Sequence, residues 1–273
     1  MQARKLSFIG AGNMPRSIIS GLVNGGYDPK LITASNPSTP KLEALANDFG
    51  INTTQSNIEA CEAGDVIILS VKPQIMAPTC ADLIQKTSID GKIMVSIAAG
   101  ITTDRIIEML GNYNQVVRTM PNTPSSLSKG MTGLYAPDSV TQVDRDFVGH
   151  VMDHVGKTLW VEKDSQINIV IAAAGSSPAY FFLFAQAMQD EAIQMGLSSD
   201  DARVLVQQAM LGSAEMICHN PDLELSELRT QVTSKGGTTH AAITAFQENN
   251  LEAIVSKAMQ AAVARAVKMS SDL

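Results

Sequence analysis

The 273-residue chain has few aromatic residues, 4 % in all, with a single tryptophan. Its core must be built from Ala, Ile, Leu, Val and Met, and 45 % hydrophobic residues supply enough of them. Cysteine is scarce too: Cys61, Cys80 and Cys218 form no close-spaced pair. That excludes a disulfide framework and a cysteine zinc site, and implies buried thiols in a reducing, cytoplasmic setting. Positive charge is not in excess. The net charge is −7, which argues against a nucleic-acid partner. Arg4 and Lys5 precede an apolar stretch, but glycines break it too early for a signal sequence. No run reads as approaching the ~18 apolar residues of a membrane span, so no membrane partner is expected. His150 and His154 stand four apart on an expected helix without a third ligand, so no metal site is expected. No Ser/His/Asp or Cys/His set is present either.

What the chain does have is KLSFIGAGNM at residues 5–14. A short apolar strand with Leu6, Phe8 and Ile9 runs into Gly10 and Gly12. Ile18, Ile19, Leu22 and Val23 then recur at helical spacing. Strand, glycine turn and helix in that order bring backbone N–H groups at a helix N-terminus to a pyrophosphate. The third glycine of the fingerprint is replaced by Pro15, which the first turn of a helix tolerates. Gly-x-Gly by itself is also compatible with any tight strand–helix turn.

The first 164 residues alternate strands and helices, as a parallel α/β sheet requires. Strands are expected at 31–35, 65–71, 92–98, 115–119, 131–135 and 157–161. A helix over 41–49 should be closed by Gly50, and Thr102 or Thr103 should cap another. From Ser165 on, Ala-rich helical periodicity takes over. Val206, Ala209, Met210, Ser213, Ala214 and Ile217 share one face; Leu251, Ile254, Val255, Ala258, Ala262 and Ala266 share another. The expected architecture is therefore a Rossmann-type dinucleotide-binding domain over 1–164, followed by an all-α domain over 165–273.

Where NAD-binding chains place an acid at the end of the second strand, this one reads Ser35-Asn36-Pro37-Ser38, with Lys41 beyond. Neutral donors and a cation favour a 2′-phosphate, hence NADPH, with NADH still possible. Loops at Val71-Lys72-Pro73, Ala98-Ala99-Gly100 and Met120-Pro121-Asn122-Thr123-Pro124 fall at strand ends, where such folds bind ligands. Gly175-Ser176-Ser177-Pro178 interrupts an apolar helical pattern, and the proline must kink or restart the helix. Thr233-Ser234-Lys235-Gly236-Gly237-Thr238-Thr239 precedes another helix. A Gly-Gly turn there suits a carboxylate; it is equally a glycine loop with a threonine cap.

Taken together, FIGAGNM (8–14), VKP (71–73), SIAAGIT (96–102), MPNTP (120–124), GSSPAY (175–180) and VTSKGGTT (232–239) resemble the pyrroline-5-carboxylate reductase family over nearly the whole chain. The resemblance implies reduction of a cyclic imine, 1-pyrroline-5-carboxylate, to L-proline by hydride transfer from NADPH or NADH. It also implies a homodimer, or a larger homo-oligomer, interlocked through the helical domain. By the same resemblance Thr239 would hydrogen-bond the ring nitrogen as the catalytic residue. Ser177, Ser234, Gly236, Gly237, Thr238 and Asn122 would hold the substrate. Gly10, Gly12, Asn13, Met14, Ser35, Asn36, Ser38, Asn57, Val71, Lys72, Pro73, Ala98 and Ala99 would hold the cofactor. Three positions depart from the family pattern: Pro15 for Gly or Ala, Lys235 for a proline, and Glu224-Leu225 for His-Pro. Two other readings stay open. One is a different reductase of the same architecture, although no motif around Lys235 or Lys257 matches a catalytic lysine. The other is a non-enzymatic NADP sensor, which would not need the Gly-Gly-Thr-Thr loop.

Overall fold

The structure, a computed structural model, describes residues 3–272. Its strands are β1 (Leu6–Ile9), β2 (Ile32–Ser35), β3 (Asn52–Thr54), β4 (Val66–Leu69), β5 (Ile93–Ser96), β6 (Val116–Met120), β7 (Gly130–Tyr135) and β8 (Gly156–Trp160). They form one sheet in the order β3-β2-β1-β4-β5-β6-β7-β8. Neighbours run parallel except β6 and β7, which pair antiparallel. The first six follow the doubly wound order, so the strand order reverses between β1 and β4. Every residue of β1, β4 and β5 is buried. That burial on both faces is why these strands read as almost unbroken apolar runs.

The helices covering the sheet are α1 (Asn13–Asn24), α2 (Thr39–Phe49), α3 (Asn57–Ala63), α4 (Met76–Lys86), α5 (Thr103–Met109) and α6 (Gln142–Asp153). One face carries a core in which Ile18, Ile19 and Leu22 of α1 meet Phe8, Val66 and Val148. The other packs Ile9, Ile67 and Leu69 against Cys61, Cys80, Leu83 and Ile106. Each fully buried Ile or Leu contributes about 1.5–3 kcal/mol relative to exposure. Thr102 caps α5, its hydroxyl accepting the Arg105 N–H, as the threonine pair led one to expect.

Beyond β8 the described residues are helical: α7 (Ile167–Val170), a π-helical turn (Ile171–Gly175), α8 (Ser177–Gln194), α9 (Ser199–His219), α10 (Leu225–Gln231), α11 (Thr238–Glu248) and α12 (Leu251–Asp272). Two compact units result, one of residues 3–176 with 261–272, the other of 177–260. Expectation placed the division where the strands stop, near 164. Contacts keep the next dozen or so residues with the sheet, because Ile167 and Ile171 are buried in a cluster with Ala266.

Two expectations need correction. Asp164–Gln194 is a helical stretch long and apolar enough, by length and composition, to cross a membrane. No Asp, Glu, Lys or Arg stands between Asp164 and Asp190; Gly175, two serines and Pro178 disguise the run. And while Cys61 and Cys80 are buried, Cys218 is exposed near the end of α9.

Candidate active site

The cofactor candidates gather at the carboxyl ends of β2, β1, β4 and β5, around the reversal point. Gly10 has φ +110°, and a Cβ there would lie 2.9 Å from the Ser70 carbonyl oxygen. Glycine is thus required at this residue to let β1 turn against β4. Ser70 closes the same corner, its hydroxyl donating to the carbonyls of Ile9 and Gly10. Gly12 is different: it is the N-cap of α1 at φ −78° and makes no side-chain cap. A Cβ on it would meet only Pro15 Cδ, at 3.9 Å. The space beside Gly12 is open, and the N–H groups of Asn13 and Met14 face it without intrahelical acceptors, as the first turn of a helix must. This cradle fits a pyrophosphate. Pro15 offers no N–H, so the cradle has one donor fewer than a Gly or Ala would give.

At the end of β2, Asn36 ties two loops together. Its Oδ1 accepts the Ala11 N–H at 3.4 Å and its Nδ2 donates to the Ser38 carbonyl at 3.1 Å. Ser38 caps α2 without using its hydroxyl. Ser35 is fully buried; its hydroxyl donates to Asn57 Oδ1 at 2.8 Å and so holds α3 against β2. Lys72 is exposed just past β4, beside Val71 and Pro73, and Ala98 N–H is fixed by Ser96 Oγ at 3.2 Å ahead of Ala99. Asn122 is 7 % exposed, with both ends of its carboxamide bonded to backbone. His150 and His154 pack edge to face, and His154 Nδ1 bonds the His150 carbonyl. Among the described residues no cluster suits a metal ion.

The second group lies in the helical unit. Ser234-Lys235-Gly236-Gly237 is a β-turn closed by Gly237 N–H to the Ser234 carbonyl at 3.0 Å, with Gly236 at φ +74°. A left-handed third residue is the type II signature, which favours proline second and glycine third. Lys235 therefore occupies a proline site and Gly236 an obligatory glycine site. Gly237 is the N-cap of α11 and no side chain caps this helix. Thr238 and Thr239 are inside the first turn, so neither hydroxyl serves as the cap that the sequence left open. The first intrahelical bond is Ala241 N–H to Gly237 O, so the N–H groups of Thr238, Thr239 and His240 point out of the helix end. Ser234 Oγ sits beneath Gly237, where a Cβ would come within 2.6 Å. Donors converge here on a space suited to a carboxylate. Upstream, Glu224 and Glu227 form a reciprocal capping box that starts α10 without the family's His-Pro.

Residues 164–269 match the family described as pyrroline-5-carboxylate reductase dimerisation, and 5–100 match NADP oxidoreductase coenzyme F420-dependent. A pyrroline-5-carboxylate reductase of Vibrio alginolyticus is 55 % identical over 269 residues, covering 98 % of each chain. Among solved structures, a pyrroline-5-carboxylate reductase from Coxiella burnetii superposes with a TM-score of 0.93 at 39 % identity, over 98 % of this chain and 99 % of that one. The Plasmodium falciparum enzyme, solved with NADP bound, gives 0.87 at 26 % identity over 99 % of both. With its glycine cradle, its Gly-Gly-Thr-Thr helix start and this full-length similarity, the chain belongs to the pyrroline-5-carboxylate reductase family.

Proposed function

We propose that this chain reduces 1-pyrroline-5-carboxylate to L-proline, the last step of proline biosynthesis, by hydride transfer from NADPH. The observation that carries the substrate assignment is the start of α11. Three outward N–H groups, the left-handed Gly236 and the uncapped Thr238 and Thr239 together suit a small carboxylate next to a ring nitrogen. Ser234, Gly236, Gly237 and Thr238 hold the carboxylate, with Ser177 as a further pocket residue. Thr239 hydrogen-bonds the ring nitrogen. A protonated imine is already electrophilic at carbon, so the chain's task is to bind, orient and exclude water; orientation alone contributes several kcal/mol. Bound NADPH supplies the hydride. Gly12, Asn13 and Met14 hold its pyrophosphate. Asn36, Ser38 and Lys41 receive the 2′-phosphate, since no acid ends β2. Asn57, Val71, Lys72, Pro73, Ala98 and Ala99 complete the cofactor site, and Ser35 supports it through Asn57.

The active species is a homodimer, or a multiple of one, joined through the helical unit and working in the cytoplasm. Phe181, Phe182 and Leu183 of α8 are 58, 67 and 69 % exposed in the single chain. An apolar groove of about 490 Å³ runs between α8 and α9, and the face expected from sequence, Val206 to Ile217, forms one of its walls. Soluble chains rarely leave such a surface in water. The experiment is direct: follow NADPH oxidation at 340 nm with 1-pyrroline-5-carboxylate and identify proline as product. Absence of turnover refutes the reading; NADPH binding without turnover favours a sensor.

A further inference from the structure

β6 and the loop that follows it grip the segment after β8 at two places. At one, Arg118, fully buried within the strand, reaches Asp164 with Nη1 to Oδ2 at 2.6 Å. The same carboxylate accepts the backbone N–H and the hydroxyl of Thr103, at the start of α5. At the other, Asn122 donates from Nδ2 to the Ala174 carbonyl at 2.9 Å and accepts the Met131 N–H on Oδ1 at 2.9 Å. Between the grips the segment lies flush on the sheet: a Cβ on Gly133 of β7 would stand 2.7 Å from Val170 Cγ1. The segment ends in the π-turn, closed by Ser176 N–H to the Ile171 carbonyl at 2.7 Å. Such turns recur at functional sites, because an extra residue inserted in a helix re-aims whatever follows it.

We infer that Asn122 is a positioning residue for the reduction and not a substrate ligand: it fixes the π-turn, and thereby the serines at 176 and 177, while Arg118 and Asp164 fix the other end of the same segment. The inference rests on the reading of function above. The Asn122 side chain is 7 % exposed, and the bonds it makes go to backbone on two sides, from Nδ2 to Ala174 and from Met131 to Oδ1, so its established work is to hold the two segments together. An imine held about 1 Å out of line by a misplaced Ser177 loses on the order of a hundredfold in rate, whereas its main grip, the Gly236–Thr239 turn, is untouched.

The test compares Asn122→Asp and Asn122→Ala with wild type. Asp keeps an acceptor for Met131 but sets a buried charge against the Ala174 carbonyl, whereas Ala removes both bonds without adding charge, so the effects that count are those the two variants share. The expected result is kcat down about 10–100-fold, imine KM within about threefold, NADPH affinity unchanged, and a larger primary isotope effect with deuterated NADPH as hydride transfer becomes limiting. Amide exchange at 171–177 should accelerate in both variants, a readout that needs no substrate. A rise in imine KM with kcat retained makes Asn122 a ligand and overturns the inference. Kinetics and exchange unchanged, with only the melting temperature lowered, also overturn it. Wild-type protein inert toward the imine refutes the functional reading separately, and the exchange data still decide whether Asn122 holds the turn.

Discussion

Asn122 and Ala174, 52 residues apart in sequence, are joined by a single amide-to-carbonyl hydrogen bond of 2.9 Å. In an α-helix the Ala174 carbonyl would take the N–H of residue 178, and residue 178 is a proline. The two motifs MPNTP and GSSPAY, which look independent in sequence, thus meet at one carbonyl. Pro178 brings no N–H to that carbonyl, and Asn122 brings one to it from another part of the chain.

Gly12→Val should abolish NADPH binding and leave the fold intact. Its backbone is in an ordinary extended conformation and its surroundings are open, so a side chain fits the protein and obstructs only the ligand. The expected loss is at least about a hundredfold in Kd, roughly 3 kcal/mol, with an unchanged melting temperature, read by fluorescence titration and thermal melts. Gly10→Val is the contrast. It forces a left-handed valine against the Ser70 carbonyl and should cost about 1–3 kcal/mol of stability.

Wild type should prefer NADPH, and Asn36→Asp should move the preference toward NADH. The carboxylate keeps an acceptor for Ala11 N–H while repelling a 2′-phosphate. The ratio of kcat/KM for the two cofactors should fall at least about tenfold, roughly 1.4 kcal/mol. A wild-type preference for NADH refutes the assignment. Ser35 is the wrong place for this experiment, because its buried hydroxyl bonds Asn57 and an aspartate there would bury an uncompensated charge.

Thr239→Val removes a hydroxyl that caps nothing in the protein itself. It should lower kcat/KM for the imine by about 1–3 kcal/mol, the scale of a lost partner in a pocket. NADPH affinity should hold. Equal turnover by variant and wild type would show that Thr239 does not touch the ring nitrogen.

Cys61 and Cys80 should resist alkylation in the native protein. Burial raises the Cys61 thiol and pushes Cys80 up to about 12, so neither presents thiolate at neutral pH. Titration with a thiol reagent should find these two only after unfolding. Rapid native labelling of either, identified by peptide mass, contradicts the packing around α3 and α4.

Dilution followed by light scattering should reveal no active monomer. The apolar surface of α8 and α9 needs a partner, and obligate interfaces commonly bury more than about 2,000 Å². A monomer that retains full activity at nanomolar concentration would refute the dimer.

Much of this was legible in the residues, and the exceptions share causes. β1, β4 and β5 are apolar throughout because both faces are covered, so their runs stood out. β3 is Asn-Thr-Thr at the sheet edge, with no buried residue to mark it. The glycines at 10 and 236 announced turns, and both have positive φ. What the residues could not convey was the far end of a bond. Ser35 carries a donor that suits a ribose phosphate as readily as an asparagine side chain, and only tertiary structure turns it inward. The antiparallel β7 was equally hidden, since a strand's apolar pattern is the same in either direction.

The first unit is discontinuous, and this bears on the order in which it can be completed during synthesis. Ala266 is buried with Ile167 and Ile171, and Met269 lies against Gly100. These residues leave the ribosome only after the whole of 177–260. Until then Ile167 and Ile171 lack part of their cover, so the nascent sheet can pair its strands long before its last apolar flank is sealed. The cofactor-binding half begins first and is finished last.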